Sequence, residues 1–533
     1  MRASILVAAL VAACVSAPVH EFTRATFTPE ELPTVAEASA YRRTATSAQV
    51  EEFLARLDAR SDLVRTLSIG TSNEGRDLVV AFVADPPLST PQELRASAKP
   101  LVFLVGNIHA GEVCGKEALA MLAREYAGGH ALLEHVNLAF LPNYNPDGND
   151  RMAPDNRPGQ VGPEEMGTRA NAQGLDLNRD WVKADAPETR AFIGFLNDYD
   201  PLVIVDTHTT DGSHHRYLIT YQGPKHPAGD GEVIAYVRDT LLPAVGATLR
   251  ERTGFDSFFY GNFEARHTRW TTYPADPRYG EGYRGMRNRV AILSEAYSYA
   301  PFEERVVGTL EFCRAIVEYT AEHHAAMQAL CDAADARTVA RGAHPTADDT
   351  IALAVEARPF EAGYTVLGYE EYDASGAHVG PGAPREWTCS LVNDFVPTLS
   401  VALPRAYLVD PAAAAAIGHL ELHGVEFTRL VEPLDVEVES YRVLAVQAAR
   451  QPFQGRVRTE EIEVATEAGR RTFPAGTVIV RTAQPLGALA AYLLEPQAED
   501  GLAAWNFFDP HLAAGALFPV ARARVVPEAL KAH

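Results

Sequence analysis

Short apolar runs alternate with segments of helical period through roughly the first 340 residues. The runs LVRTLSIG and LVVAFVAD flank a polar, glycine-containing turn, TSNEGRD, and predict two paired strands. LVFLVG (101–106), VNLAFL (136–141), PLVIVDTH (201–208) and RVAILSEAY (289–297) have the length and continuous apolarity of strands buried on both faces. Between them, residues 35–41, 47–58, 112–126, 187–198, 231–254 and 303–341 carry helical spacing, the second of these opening on a serine cap followed by glutamates. Residues 86–99 read as a loop. Strands alternating with helices predict an α/β sheet with helices on both faces.

The pattern changes near Ala340. From there short alternating runs dominate (TIALAVEA, YTVLGYEEY, WTCSLVN, TLSVALP, DVEVESYRVL, GRVRTEEIEVA, GTVIVRT), with one helix-like insert at 410–423 and an aromatic cluster in GLAAWNFFDPHL. A chain of 533 residues is too long for one typical core. The expected division is a leader over residues 1–19, an α/β domain over 20–340 and a β-rich domain over 341–533. The opening MRASILVAALVAACVSAP has one basic residue, an apolar run and small residues, as an export leader does. Its VAAC also resembles a lipoprotein cleavage box, so the expected destinations are periplasmic, extracellular or lipid-anchored, and a lipidated Cys14 is the only membrane attachment the sequence offers. The other cysteines, Cys114, Cys313, Cys331 and Cys389, are too scattered for a metal knuckle or a disulfide framework and read as buried thiols.

A net charge of −23 lacks any basic stripe and speaks against nucleic acid as a partner. The chemistry concentrates instead at strand ends. His109 and Glu112 stand three residues apart where the 101–106 strand meets a helix, His208 ends the next strand, and Glu295 ends another. Open α/β sheets place their sites at this edge. Two histidines and a glutamate are a ligand set for one catalytic zinc per chain, with a position left for water, while a separate carboxylate such as Glu295 could shuttle the proton. Taken singly, each has a plainer alternative, a surface histidine or a strand-end ion pair. Residues 151–174 form an irregular loop too long to lack a purpose, ending in GTRANAQGLDLNRDW. There Arg169 could stabilise an oxyanion, Asp176 could hold the spare N–H of a ligand imidazole, and Asn178 with Arg179 could grip a carboxylate; a surface charge network is the alternative. His214 and His215 read as solvated loop or rim residues, His226 and His267 show no partner pattern, and Asp147 in NPDG reads as a turn former.

IGTSNEGRDL, GNIHAGE, NYNPDGNDR, GTRANAQGLDLNRDW, DTH and ILSEAYSY, in this order, resemble the zinc carboxypeptidase family of the A/B type over about residues 47–319. The resemblance implies a mixed central sheet, zinc on His109, Glu112 and His208, and Glu295 as general base and acid. It also implies Arg169 at the scissile carbonyl, Asn178 and Arg179 on a substrate's terminal carboxylate, and Tyr273 closing over the substrate, with Tyr279 and Tyr283 in the same loop. The position that sets side-chain preference in the family falls near Gly280, which names none. The expected activity is removal of C-terminal residues from peptides with a free carboxylate. The alternatives are a zinc amidase or deacylase acting on acyl-amino acids or peptidoglycan stem peptides, and a peptide-binding homologue without turnover. No G-x-S-x-G elbow supports a serine hydrolase.

Overall fold

The computed structural model describes residues 27–264 and 266–524; the expected leader and Cys14 lie outside them. The first ten strands are β1 (Val64–Thr71), β2 (Asp77–Val83), β3 (Leu101–Gly106), β4 (Asn137–Leu141), β5 (Val203–Thr210), β6 (Ile219–Gln222), β7 (Ser257–Phe259), β8 (Asn262–Glu264), β9 (Arg269–Thr271) and β10 (Val290–Tyr297). Eight of them form one mixed sheet in the order β1-β2-β4-β3-β5-β10-β6-β7. Its centre is a parallel block, β4, β3, β5 and β10, with antiparallel pairs on either side. The apolar runs point alternate side chains to opposite faces. Val102, Leu104, Val203, Val205 and Ile292 pack under the helices Cys114–Ala127 and Phe302–Ala343. Leu101, Phe103, Val105 and Ile204 face the helix Pro187–Tyr199. Both faces are therefore dry, as strands that read as unbroken apolar runs require.

Two local predictions change. The loop at 86–99 contains the helix Pro91–Ser97: Thr90 caps it by accepting from the Glu93 N–H, the Glu93 carboxylate accepts the Thr90 N–H in return, and Pro91 fixes the first turn. The 231–254 segment is continuously helical, but Val237–Leu241 forms a π turn ahead of Pro243, which has no N–H to give to Asp239.

After Ala343 come β11 (Thr350–Tyr369), β12 (Pro384–Ala402), β13 (Ala406–Val409), β14 (Thr428–Arg429), β15 (Leu434–Ala448), β16 (Thr459–Phe473), β17 (Val478–Arg481) and β18 (Leu517–Ala523). The sequence divides β11 and β12 into several short strands, whereas each runs through, because register shifts around Ala352–Val355 and Arg358–Gly363 let the pair bend without ending. Six antiparallel strands make a second sheet, β14-β17-β13-β18-β15-β16. The β11–β12 hairpin joins a third sheet with β9 and β8, so a loop of the α/β part and a hairpin of the C-terminal region share one ladder. One apolar cluster also runs from Phe103, Phe192 and Trp181 to Tyr407, Leu489, Tyr492 and Trp505. The aromatic segment near the end is thus core, and the apolar run GALAAYLL ahead of it is a buried helix, Gly487–Leu494. Among the described residues no helix is long and apolar enough to cross a membrane.

Gly115 lets the Cys114–Ala127 helix lie on β5: a Cβ there would stand 1.9 Å from the Thr207 hydroxyl oxygen. Gly115→Ala should therefore cost about 1–3 kcal/mol of stability by overpacking, read as a lowered thermal midpoint of the full chain. An unchanged midpoint would show that this helix can move off the sheet.

Candidate metal centre and substrate cavity

The parallel ladder sets the site. Register pairs Glu295 with His208 across β10 and β5, and Gly106 with Thr207 across β3 and β5, so three carboxyl-terminal strand ends lie side by side. Past Gly106 the backbone turns through Asn107, whose φ of +66° lies in the left-handed region asparagine tolerates best, and whose amide donates to Asn143 and Asn149. That turn brings His109 and Glu112 back over β5.

His109, Glu112 and His208 are buried, and one ligand atom from each lies within 4.8 Å of the others. The two Nδ1 atoms are 3.2 Å apart; His208 Nδ1 lies 3.0 Å from Glu112 Oε2, and His109 Nδ1 3.1 Å from Glu112 Oε1. Each imidazole turns its other nitrogen to a carboxylate. His109 Nε2 meets Asp176 Oδ1 at 2.9 Å, and His208 Nε2 faces Asp206 Oδ1 at 3.4 Å, outside good hydrogen-bond alignment. Protons held on the two Nε2 atoms leave two imidazole lone pairs and a carboxylate converging on one point. A cation at that point would satisfy all three acceptors, and two nitrogens with one oxygen suit zinc. Burial works against ionising Glu112, yet His109 and Arg157 hold it well below the usual carboxylate range. Asp176 is likewise held low, its burial outweighed by His109 and Arg169.

These groups open on a cavity of about 330 Å³ lined also by Arg157, Arg169, Asn178, Arg179, Thr210, Tyr260, Tyr273, Tyr279 and Glu295. Glu295 is half-buried at the end of β10, and its Oε2 is shielded from solvent with no hydrogen-bond partner; burial, partly offset by His208, raises its carboxyl. Arg169 is pinned by Asp176, which accepts from its Nε at 2.9 Å, while its Nη1 lies 3.3 Å from Glu112. Asn178 Oδ1 accepts the Gly280 N–H at 2.9 Å, leaving the amide nitrogen as its remaining polar end. Arg179 stacks over Tyr279, its guanidinium carbon 4.2 Å from the ring centre. Tyr273 packs edge-on against Tyr260 and covers the buried Lys225 ammonium.

All nine residues singled out from sequence stand in or directly behind this cavity. Two further participants were not singled out. Arg157, from the irregular loop, places Nη1 3.2 Å from Glu112 Oε1 and donates to the Thr209 carbonyl at 3.1 Å; the loop's length was a signal, but nothing in it marked this arginine. Asp206 sits two residues before His208, a strand spacing that puts both on one face and could have revealed it. Four other expectations change. His215 is buried rather than solvated. His214 and His267 each hydrogen-bond Glu371, at 2.8 and 2.7 Å, across to the turn of the β11–β12 hairpin. Asp147 does more than shape a turn, accepting from Ser72, Glu74 and Arg76 and so tying NPDG to the TSNEGRD turn. The four described cysteines are free and buried, as expected.

Two imidazoles and a carboxylate at strand ends, with a second carboxylate beside them, are the arrangement of a mononuclear metal hydrolase. A sequence profile described as zinc carboxypeptidase matches residues 50–227, and over that part the chain is similar to zinc carboxypeptidases. Carboxypeptidase 2 of Trichophyton rubrum is 23% identical over 496 residues, spanning 86% of this chain and 83% of its own. Carboxypeptidase Z of Mus musculus is 41% identical over 143 residues, which cover 25% of this chain and 21% of that protein. Among solved structures, a metallo-carboxypeptidase from Pseudomonas aeruginosa aligns at 18% identity with a TM-score of 0.38, covering 52% of this chain and 69% of that one.

Removing the carboxylate behind His109 tests the outer support of the centre. Asp176→Asn should weaken zinc binding by about 10–100-fold, measured by competition with a chromogenic chelator, while His208→Ala should leave zinc well below one per chain by elemental analysis. Wild-type affinity in Asp176→Asn would mean that this carboxylate does not tune His109.

Proposed function

We propose that the chain is a zinc metallocarboxypeptidase that hydrolyses the C-terminal peptide bond of peptides. One observation carries the reading. His109 and Glu112 of the metal-competent triad, Glu295, and the side chains of Asn178 and Arg179 line a single cavity. A cavity with cationic and amide donors at one end and a hydrolytic centre at the other suits a substrate whose carboxylate lies one residue from the bond to be cut.

His109, Glu112 and His208 would hold zinc, which as a Lewis acid acidifies water and polarises a carbonyl. Arg179 and Asn178 bind and orient the terminal carboxylate, and Tyr279, under the Arg179 guanidinium, fixes the direction of that arginine. Arg169 has its Nε and Nη2 held by Asp176 and presents its remaining edge beside Glu112, where it can stabilise charge developing on the scissile carbonyl oxygen. Glu295 takes the proton of the attacking water and delivers it to the nitrogen of the departing residue as the C–N bond breaks. Its enclosed carboxyl, raised by burial, suits a group that must both accept and return a proton. Tyr273 supplies a wall of the cavity beside the substrate. Export, by the leader pattern of residues 1–19, completes the reading.

Glu295→Gln should keep one zinc per chain and lose turnover by about 10²–10⁴-fold. Mass spectrometry of a mixed peptide library incubated with the zinc-loaded protein should show ladders shortened from the C-terminus. Arg179→Ala should impair cleavage of free C-termini far more than hydrolysis of blocked amide substrates. An equal effect on both, or release of acyl groups in place of C-terminal residues, would move the assignment to an amidase or deacylase; an intact library would leave a binding homologue.

A further inference from the structure

The two segments that present the substrate-binding side chains are both fastened by residues far away in sequence. On one side lies the turn 176–185, which carries Asn178 and Arg179. Gln454, at the tip of the β15–β16 hairpin, accepts the Asp176 N–H on its side-chain oxygen at 2.7 Å. Arg456 on the same tip pairs with Asp185 through two contacts of 2.6 and 2.8 Å. On the other side lies the stretch 278–285, which carries Tyr279 and Gly280. Asp500 accepts the Arg278 N–H at 2.6 Å. His423 joins the two: its Nε2 donates to the Val182 carbonyl at 2.9 Å, and its Nδ1 accepts from the Tyr283 hydroxyl at 2.8 Å. A carbonyl can only accept, so that ring is neutral with its tautomer fixed, in keeping with complete burial that pushes its pKa down to about 3.

Gln454 occupies the most consequential of these contacts. Asp176 begins the short 3-10 turn Leu177–Arg179, and its carboxylate also meets His109 and Arg169. Gln454 holds the backbone N–H and not that carboxylate, so its loss is felt first in the turn that carries the carboxylate-binding pair, while His109 and Arg169 keep their own contacts to the side chain. Gln454 is held at a φ of +51°, a left-handed conformation that a residue with a side chain adopts only when its surroundings over-determine it. Gly455 beside it, at a φ of +80°, continues the left-handed turn of the tip.

We infer that the C-terminal region is a positioning element of the substrate site, acting through Gln454 on the turn that carries Asn178 and Arg179. This rests on the carboxypeptidase reading for its kinetic signature but not for its structural one. Gln454 touches no substrate; it holds the residue that holds the others.

The test uses the full chain with zinc. Gln454→Met keeps the length of the side chain and removes the acceptor; Gln454→Glu keeps an acceptor oxygen. Gln454→Met should raise KM for peptides with free C-termini about tenfold, the worth of one hydrogen bond, with kcat within about twofold and zinc still one per chain. Backbone hydrogen exchange over residues 176–180 should quicken in Gln454→Met, and Gln454→Glu should return both KM and exchange toward wild type. Unchanged KM and exchange in Gln454→Met, or a Gln454→Glu variant no better than Gln454→Met, would overturn the inference. If the wild type cleaves no peptide, the functional reading fails and the exchange result alone decides the positioning role.

Discussion

The site exists because two parallel strands meet in one register. The pairing of Val203–Thr210 with Val290–Tyr297 sets Glu295 directly beside His208, and neither residue has to be carried there by a loop. A shift of one residue would turn every side chain of one strand to the opposite face and separate the pair. The register is held by burial on both sides of the sheet, with Val203, Val205 and Ile292 under one helical layer and Ile204 under the other. The apolar composition that makes these strands readable also fixes the geometry of the site. His109 and Glu112 come from the turn between β3 and the following helix, and it is there that polar side chains supply the orientation: Asn107 and its amide partners on one flank, Asp176, Arg157 and Arg169 on the other.

Much of this was legible because strand ends and short motifs carry their chemistry locally. H-x-x-E after an apolar run, a histidine closing one buried strand and a glutamate closing another need no tertiary information. What stayed hidden depends on pairings across long separations. Arg157 reaches Glu112 from a loop with no internal pattern, and Glu371 meets His214 and His267 from a hairpin turn more than a hundred residues later. The broken reading of β11 has a local cause. Charged residues and a proline, Glu356 to Pro359, interrupt the alternation, and the paired strand absorbs them in an irregular stretch where a sequence pattern suggests a stop. The helix at 91–97 is a different case: Thr90, Pro91 and Glu93 spell its start in full, but so short a segment yields little periodicity to set against a flanking proline.

Charge is arranged with similar economy around the cavity. Three guanidinium groups, those of Arg157, Arg169 and Arg179, line the space that also contains Glu112, Glu295 and Asp211. None of the three points outward as a free cation: Arg157 rests on Glu112 and a carbonyl, Arg169 on Asp176, and Arg179 on the Asn178 carbonyl and the face of Tyr279. Held on several partners, such groups lose little side-chain freedom when a ligand arrives.

The apolar cluster that begins at Phe103 and ends at Trp505 bears on how this polypeptide can be handled. A product stopping after the Phe302–Ala343 helix would leave Trp181, Tyr283 and Met286 without their covering side chains, an oily face of the kind that drives association in water. Trimming the chain to its hydrolase-like half is thus a route to aggregates rather than to a minimal enzyme.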